Sequence, residues 1–235
     1  TFIIKVALKM SRLTLDGKRM KLASAAILLG TLLGAVSTTR GSDILALFLI
    51  AFILFGALVM LRWQPDPRLR NIILIALLVR VELAMFHSYV APLPDSGADA
   101  VTFERLGWAA AEGWLGEGTV PALSGAYIYS ALIGVVYYLF GRVHLIPQLL
   151  NVLFGVTTVY LVYKLTLRIS SSRRTAGIAA LLTTFFPTLN LYSAITMRES
   201  LIVVSIATSV YTYIKWLQMG TAQNMILSVA FLLLA

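Results

Sequence analysis

Long apolar runs separated by short polar breaks make up most of the chain. The runs cover residues 22–39, 44–61, 71–89, 126–141, 146–167, 176–193, 200–218 and 225 onward. Most of them are close to the length of about 20 residues that a helix needs to cross a bilayer. The pattern therefore predicts an all-α, polytopic transmembrane helical protein.

Composition strengthens this prediction. Hydrophobic residues make up 59% of the chain, charged residues make up only 12%, and cysteine is absent, which leaves no disulfide or thiolate chemistry. The net charge of +9 does not indicate nucleic acid, because basic residues in a membrane protein sort its loops between the two faces. The chain starts at Thr1 and ends at Ala235 within an apolar run, so we expect it to be part of a longer protein.

Two basic loops set the expected topology, because loops rich in Lys and Arg stay in the cytoplasm. Residues 62–70 and 168–174 each carry three arginines. Three apolar runs lie between these loops, so both loops fall on one side only if one run does not cross. The run 126–141 is the shortest of the three, and we predict that it lies as a juxtamembrane helix on the outer face.

Two regions follow from these boundaries. Residues 1–70 are expected to form a basic N-terminal segment on the anionic cytoplasmic surface, followed by two extra transmembrane helices. Residues 71–235 are expected to form a transmembrane core that is incomplete at its C-terminus and contains the outer loop 90–145. Long ordered loops are more often functional than incidental, so this loop is where we expect a site.

The outer loop opens with the most polar stretch of the chain, "PDSGADAVTFERLG" (94–107), and continues as an amphipathic helix. One apolar face is indicated by residues at helical spacing, which are Phe103, Leu106, Gly107, Ala110 and Trp114. Glu104 and Glu112 are expected on another face. The prediction is a helix that lies on the membrane, with tryptophan at the interface.

Asp99 has two interpretations. It stands at the N-terminal end of this helix, where its carboxylate is suited to act as a general base on a hydroxyl or amine from the outer space. Alternatively, Ser96 and Asp99 form a capping box, which is a structural role. Asp95 follows Pro94 and is either a turn former or a part of the same site.

The stretch "ITMRESL" (195–201) is a second polar group, expected on the same face. Arg198 is suited to hold a phosphate, and Glu199 is suited to ligate a metal or to orient a substrate. The structural alternative is equally open. Glu199 would then be the favourable acid in the first turn of the next helix, and Arg198 would reach the lipid headgroups.

Two more residues are candidates for binding. Arg80 lies near the middle of the run 71–89, a depth at which a charge usually faces a cavity or a partner. Glu82 is two residues away, about 200° around the helix, so the two are not expected to pair. Tyr127 begins a group of tyrosines that is typical of an interfacial aromatic belt, and it is also a candidate to contact substrate.

The order of these parts resembles the GT-C membrane glycosyltransferases, which include protein O-mannosyltransferases and the lipid A aminoarabinose transferase. In that family the acid of the first outer loop is followed by an aromatic residue at +4, an aliphatic residue at +7 and a small residue at +8. Asp99, Phe103, Leu106 and Gly107 have this spacing. The stretch "YIYSALIGVVYYLFG" (127–141) is similar to the family's helix before a Phe-Gly.

Further along the chain, "RISSSRR" (168–174) resembles the basic turn of that family, and Glu199 falls where the family has its second outer acid. The resemblance covers residues 71–218. In two places the sequence differs from the family pattern, since Asp99 is followed by Ala100 rather than a second acid and Glu199 stands in place of an aspartate.

The resemblance implies an enzyme, a GT-C-type hexosyl or pentosyl transferase. It implies catalytic roles for Asp99 and Glu199. It also implies substrate binding by a larger set, which comprises Arg198, Arg80, Asp95 and Tyr127. No cofactor is required by this reading, and a divalent cation (Mg or Mn) bound by Glu199 and Asp99 is an open alternative.

The reaction that the resemblance implies moves a sugar from a polyprenyl-phosphate donor to a glycan, lipid or protein acceptor. The expected location is the bacterial inner (plasma) membrane, with several spans and an active site on the outer face. Membrane lipids are the other expected partner, and no nucleic acid is expected. Two alternatives stay open, a transporter or flippase for lipid-linked sugars and a non-catalytic membrane subunit of a larger complex.

Overall fold

A computed structural model describes residues 66–235 with the exception of Leu123. The basic segment and the two extra helices predicted for residues 1–70 lie almost wholly outside the described residues. The described part is all-α, as predicted, and contains no strand. Its helices are α1 (Pro67–Tyr89), α2 (Ala98–Leu115), α3 (Ile128–Phe140), α4 (Leu145–Ser170), α5 (Arg173–Thr184), α6 (Pro187–Ala194), α7 (Glu199–Met219) and α8 (Ala222–Leu234), with a 3₁₀ turn at Gly125–Tyr127.

Helix α4 is the centre of a bundle. It packs against α1, α5, α6 and α7 and also contacts α3, while α8 packs on α7. Small and polar side chains are buried along α4 where its neighbours approach, among them Asn151, Gly155 and Thr158. Such residues let membrane helices pack closely and bond to one another.

Two apolar clusters join α1 to the antiparallel α4. At the end that carries the arginine-rich 168–174 turn, the basic end, the members are Leu69, Ile72, Ile73, Ala76, Val159, Tyr163, Ala176 and Ala180. At the opposite end, the site end, the members include Leu77, Val81, Ala84, Met85, Leu145, Leu149, Val152 and Ala194. Helix α5 closes the first cluster and α6 closes the second.

The apolar run 176–193 forms two helices rather than the single one that its length predicts. Helix α5 ends at Thr184 and α6 begins at Pro187. Phe186 is extended (φ −69°, ψ 117°), because a proline ring disfavours the helical conformation of the residue before it. Since α5 packs at the basic end and α6 at the site end, the interruption lies about halfway along α1.

Helices α2 and α3 run in the same direction and form a packed unit at the site end, named here the juxtamembrane pair. Gly107 allows their close approach, because a Cβ atom at this position would lie 2.6 Å from Cγ2 of Ile133. Helix α3 has 13 residues and is therefore about 20 Å long, shorter than the hydrocarbon core of about 30 Å. This length supports the prediction that the run 126–141 does not cross.

The buried face of α2 differs from the predicted one in part. Phe103, Gly107 and Ala110 are buried as expected, but Trp114 is 40% exposed. Glu104, which the pattern put on another face, is buried. The reason is a set of hydrogen-bonding partners from distant parts of the chain, which the apolar pattern does not contain.

The described helices include two that are long and apolar enough to cross a membrane, α4 and α7. Helices α3 and α8 are apolar but shorter. Helix α1 has 23 residues and carries Arg80 and Glu82 within its apolar run. The described chain is thus consistent with an all-α membrane protein.

Candidate functional site

Asp99 lies in the first turn of α2 and is exposed. The N-cap residue of this helix is Gly97, and no side chain caps it. The capping-box interpretation is therefore wrong, because the hydroxyl of Ser96 donates to the carbonyl of Leu93 at 2.6 Å instead. An acid in a first turn is still favoured by the helix dipole, and its exposure leaves it accessible to a second molecule.

Phe103, one turn after Asp99, connects α2 to the start of α3. Its ring packs edge to face on Tyr129, with 5.5 Å between the ring centroids. It also lies 5.9 Å from the ring of Tyr127, which is 43% exposed. Tyr127 therefore stands at the surface beside the helix that carries Asp99.

One buried cluster joins the juxtamembrane pair to the turn between α6 and α7, residues 195–198. Its members are Ala100, Phe103, Ala111, Tyr129, Ile133, Tyr137, Ile195 and Met197. Asp99 precedes Ala100 in the sequence, and Arg198 follows Met197. The two polar stretches singled out in the sequence therefore border the same cluster.

The side chain of Asn151 in α4 hydrogen-bonds to the backbone of the 195–198 turn. Its Nδ2 donates to the carbonyl of Ile195 at 2.6 Å and to that of Met197 at 2.8 Å. Its Oδ1 accepts the hydroxyl of Tyr129 at 2.9 Å. Burial raises the pKa of Tyr129, so the phenol stays a neutral donor. Asn151 is completely buried, and both protons of its amide are used.

Arg198 and Glu199 begin helix α7. Arg198 is the N-cap residue, and its Nε lies 3.9 Å from Oε1 of Glu199. This is a loose contact between two partly exposed side chains, not a close two-pronged pair. Oε2 of Glu199 is buried and has no hydrogen-bond partner among the described residues. Arg198 therefore keeps donors for an anionic ligand.

Asp95 lies in the turn between α1 and α2. Its backbone is left-handed (φ 60°), a conformation that aspartate tolerates better than most residues, and its side chain is exposed. The structure therefore shows the turn-forming feature of Asp95. It lies four residues before Asp99 and outside the helix.

Glu104 is the best-bonded acid of the juxtamembrane pair. Nε and Nη2 of Arg142 donate to its two carboxylate oxygens at 3.0 and 3.2 Å. The hydroxyl of Tyr137 donates at 3.2 Å, and Nδ1 of His144 lies 3.4 Å away. The hydrogen bonds from Arg142 raise the pKa of its guanidinium, while burial and the neighbouring carboxylate raise the pKa of Tyr137.

The guanidinium of Arg142 also lies over the ring of Trp108, 5.4 Å from its centroid. This cation–π contact adds to the pairing with Glu104. The cluster fixes the α3–α4 connection against α2. The hydrogen bonds connect members of the cluster to one another, which indicates a structural role.

Arg80 is completely buried inside the bundle. Its Nη1 donates to the carbonyl of Ala76 at 3.2 Å, and its Nη2 donates to the carbonyl of Thr183 at 3.4 Å. Thr183 lies in the last turn of α5, where carbonyls have lost their helical partners and the negative end of the dipole favours a cation. The interruption between α5 and α6 thus supplies part of the compensation for this charge.

A small cavity reaches from Arg80 to the start of α7. Its lining residues are Arg80, Gly155, Thr158, Leu189, Ser200 and Val203. Ser200 follows Glu199, so the cavity lies beneath the first turn that carries the acid. Within the described range Arg80 has no acidic partner, and it makes no pair with Glu82, as the helical spacing predicted.

Asp99, Tyr127 and the Arg198–Glu199 pair are thus brought to the borders of one cluster, whereas Arg80 lies in the bundle. Sequence reasoning missed Asn151, although an amide within the apolar run 146–167 is a signal. A buried side chain that can make up to four hydrogen bonds needs partners in such a place.

The described residues contain no group of three or more His, Asp or Glu side chains that would bind a metal ion by themselves. The unpartnered Oε2 of Glu199 fits a cation only if a ligand supplies further oxygen atoms. Magnesium is often bound in this way, by one or two carboxylates together with substrate phosphates.

Comparison with known families gives one result. The family model described as dolichyl-phosphate-mannose-protein mannosyltransferase matches residues 120–235, just under half of the chain. No curated protein and no solved structure matches the chain. The matched range contains Tyr127, Asn151, Arg198 and Glu199, whereas Asp99 and Arg80 precede it.

The matched family consists of membrane glycosyltransferases that use a lipid-linked donor, and it is a GT-C family. The match therefore confirms the resemblance to the GT-C glycosyltransferases, over the range that it covers. Over residues 120–235 the chain is similar to the dolichyl-phosphate-mannose-protein mannosyltransferases, a family of GT-C glycosyltransferases.

Proposed function

We propose that the protein is an inverting glycosyltransferase that moves a sugar from a polyprenyl-phosphate donor to an acceptor hydroxyl or amine at the outer face of the bacterial inner membrane. The family supplies the class of enzyme. The observation that carries the finer proposal is the shared cluster, which brings the helix of Asp99 against the turn of Arg198 and Glu199. The proposed base and the proposed phosphate ligand thereby lie at the margins of one packed unit.

The orientation of the site follows from the distribution of charge. The basic end carries Arg168, Arg173 and Arg174 in one turn, and such loops stay in the cytoplasm. The site end is the opposite end of α4, and it therefore faces outward in this proposal. A donor with a long apolar tail fits a site at this boundary, because the tail stays in the bilayer while its phosphate meets the polar side chains.

Asp99 is the proposed general base. Its carboxylate takes the proton of the acceptor O–H or N–H, and the acceptor atom bonds to the anomeric carbon of the sugar. The bond from this carbon to the phosphate oxygen breaks at the same time, with its electron pair going to the phosphate. The products are the glycosylated acceptor and polyprenyl phosphate, and the configuration at the anomeric carbon is inverted.

Arg198 is the proposed ligand of the phosphate. A guanidinium binds two oxygens of a phosphate in its plane and stabilises the charge that develops as the sugar departs. Glu199 lies close enough to orient Arg198 without engaging both of its nitrogens. A divalent cation between Glu199 and the phosphate is the alternative role for this acid.

The remaining candidates have lesser roles in this proposal. Arg80 donates to two backbone carbonyls, so we assign it to the junction of α5 and α6 rather than to direct phosphate binding. Asp95 shapes the turn that precedes α2. Tyr127, half-exposed beside Phe103, lies where an acceptor approaches Asp99.

The direct test is release of polyprenyl phosphate from a polyprenyl-phosphate sugar by the purified full-length protein. Asp99→Asn should abolish release, while Asp95→Asn, a matched substitution in the exposed turn, should retain most of it. Both variants should fold like the parent, because both side chains are exposed. An active Asp99→Asn variant would remove Asp99 from the base role.

The phosphate ligand is tested by donor binding. Arg198→Ala should weaken binding, and Arg198→Lys should restore it only in part, since lysine keeps the charge but loses the planar fork. Loss of activity in a chelator would assign Glu199 to a cation. Movement of intact donor across the membrane without cleavage would instead show a flippase.

A further inference from the structure

We infer that Asn151 is a positioning residue that holds the 195–198 turn and the juxtamembrane pair at a fixed separation. The inference rests on the proposed function, because its consequence concerns the distance between Asp99 and Arg198. In this inference the separation of the two surface side chains, Asp99 and Arg198, depends on a buried amide of α4.

The first argument is the placement of the hydrogen bonds. The two donors of Asn151 are bound to carbonyls two residues apart in the same turn, at Ile195 and Met197. The carbonyl of Ile195 also accepts the N–H of Met197 at 3.0 Å, so the turn is tight. The turn is thus fixed at two points by one rigid amide plane.

The second argument is that few other hydrogen bonds fix the backbone of this turn within the described residues, although the side chains of Ile195 and Met197 pack in the buried cluster. Helix α6 ends at Ala194, and Ile195 is extended (φ −116°, ψ 169°). Helix α7 begins at Glu199 without a side-chain cap. Loss of the amide would leave the carbonyl of Met197 without its donor, whereas that of Ile195 keeps the N–H of Met197; a buried carbonyl without a donor is costly, so an alternative conformation of the turn would be favoured.

The third argument concerns the oxygen atom of the same amide, which accepts a hydrogen bond. Oδ1 of Asn151 binds the hydroxyl of Tyr129, and the ring of Tyr129 packs on Phe103. Phe103 lies on the helix that begins with Asp99. Asn151 therefore joins the helix of the proposed base, through Tyr129 and Phe103, to the turn before the proposed phosphate ligand, through two backbone carbonyls.

The expected consequence is geometric. Proton abstraction and phosphate departure occur at two atoms of one substrate complex, so the base and the arginine must be held at the right separation. A displacement of about 1 Å costs up to about 100-fold in rate. Asn151→Ala should therefore lower kcat by about tenfold or more, with a smaller rise in KM.

The first experiment measures the turn without measuring activity. Thr196 lies in the turn and is almost completely buried. In full-length protein without other cysteines, Thr196→Cys should react slowly with a water-soluble maleimide. Adding Asn151→Ala should speed this reaction about tenfold or more, because loss of two buried hydrogen bonds favours opening. Equal labelling rates would overturn the inference.

Two further variants separate positioning from loss of folding. Asn224→Ala removes another buried amide, which bonds Thr221 near the start of α8, and should leave labelling and kcat unchanged. Tyr129→Phe keeps the contacts of Asn151 with the turn and should cause smaller changes than Asn151→Ala. If Asn151→Ala does not fold, a Tyr129→Phe variant equal to the parent in both measurements overturns the inference.

A double-mutant cycle connects the amide to Arg198. If Asn151 acts by placing Arg198, the losses in kcat from Asn151→Ala and Arg198→Ala should not multiply in the double variant. Independent, multiplying losses would contradict the positioning role. If the parent releases no polyprenyl phosphate, the proposed function fails, while the labelling of Thr196→Cys still decides whether Asn151 holds the turn.

Discussion

The juxtamembrane pair and the helical bundle each contain one fully or nearly fully buried charged residue, and they compensate it in different ways. Glu104 in the pair is bound by Arg142 and Tyr137 through their side chains. Arg80 in the bundle donates only to backbone carbonyls, those of Ala76 and Thr183. The first charge has a partner of opposite sign, and the second has the end of a helix.

The difference follows from the depth of the two charges in the fold. Arg142 is partly exposed, so its charge remains solvated while it reaches the buried Glu104. In the bundle a second full charge would also have to be desolvated, whereas a helix terminus offers partial negative charge at no such cost. The interruption between α5 and α6 is thus linked to the presence of Arg80.

The largest effect is expected for Glu104→Ala, which leaves Arg142 and Tyr137 without their acceptor. Breaking a buried pair costs about 3 kcal/mol or more. The apparent free energy of unfolding, measured in mixed detergent, should fall by that amount. Glu117→Ala, an exposed acid in the loop after α2, should change it by less than about 0.5 kcal/mol. Similar values for the two variants would contradict the assigned structural role of Glu104.

The next effect concerns close packing in the two regions. A Cβ atom at Gly107 would lie 2.6 Å from Ile133, and one at Gly155 would lie 2.7 Å from Nε of Arg80. Alanine at either position should cost about 1–3 kcal/mol by overpacking. Gly177 in α5 meets no described atom within 4 Å, so its alanine variant should be neutral or stabilised by up to about 1 kcal/mol. Thermal unfolding of the three variants tests this order.

A smaller effect is expected from the start of α1, which has a side-chain cap that α2 lacks. Asp66 accepts the N–H of Arg68 at 3.0 Å. Burial acts to raise the pKa of Asp66, but hydrogen bonds from Tyr163 and Arg68 outweigh it and hold the value below the ordinary 3.8. Asp66→Ala should cost about 1 kcal/mol at pH 7, and Ser96→Ala, which removes no cap from α2, should cost less.

The pH dependence of this cap has a definite sign. Because the carboxyl of Asp66 has a lowered pKa in the folded state, its contribution is fully present above the unfolded value near 3.8. This contribution to stability is lost as the pH falls below 3.8 and through the lower pKa that Asp66 has in the folded state. The difference in stability between parent and Asp66→Ala should therefore shrink as the pH is lowered from 5 to about 2.

The smallest effect is expected for Arg80→Met. Methionine has a similar length and removes a charge that is costly to bury, while one carbonyl of α5 loses its donor. These two changes oppose each other, and replacement of a buried charge by an apolar side chain is often near neutral. The free energy of unfolding should change by less than about 1 kcal/mol. A loss of stability above about 3 kcal/mol would show that Arg80 is paired with a full negative charge.

Much of the fold was predictable because its signal is local. The apolar runs predict α1, α4 and α7, and the short run 126–141 predicts the short α3. Pro187 is a local signal for the helix interruption, since proline restricts the conformation of the residue before it. The continuous apolar character of residues 176–193 predicts a single helix instead.

The site was predictable only in part. Asp99, Arg198 and Glu199 stood out because they are charges at helix ends. Glu104 was misplaced because Tyr137 and Arg142 are 33 and 38 residues further along the chain. Asn151 was missed because its partners include two backbone carbonyls, which no side-chain pattern contains.

The exposed apolar surface of α3 is expected to make the protein sensitive to the thickness of its membrane. Val135, Tyr138, Leu139 and Phe140 are exposed on this helix. Tyr138 also lies against Trp114, with 6.4 Å between ring centroids, and such rings favour the headgroup level. We therefore expect the pair to lie at the depth of the lipid headgroups. Shorter or longer acyl chains would shift the headgroup level, and with it the helix of Asp99, relative to the spanning helix that begins after Arg198, so transfer should be fastest in bilayers of one thickness.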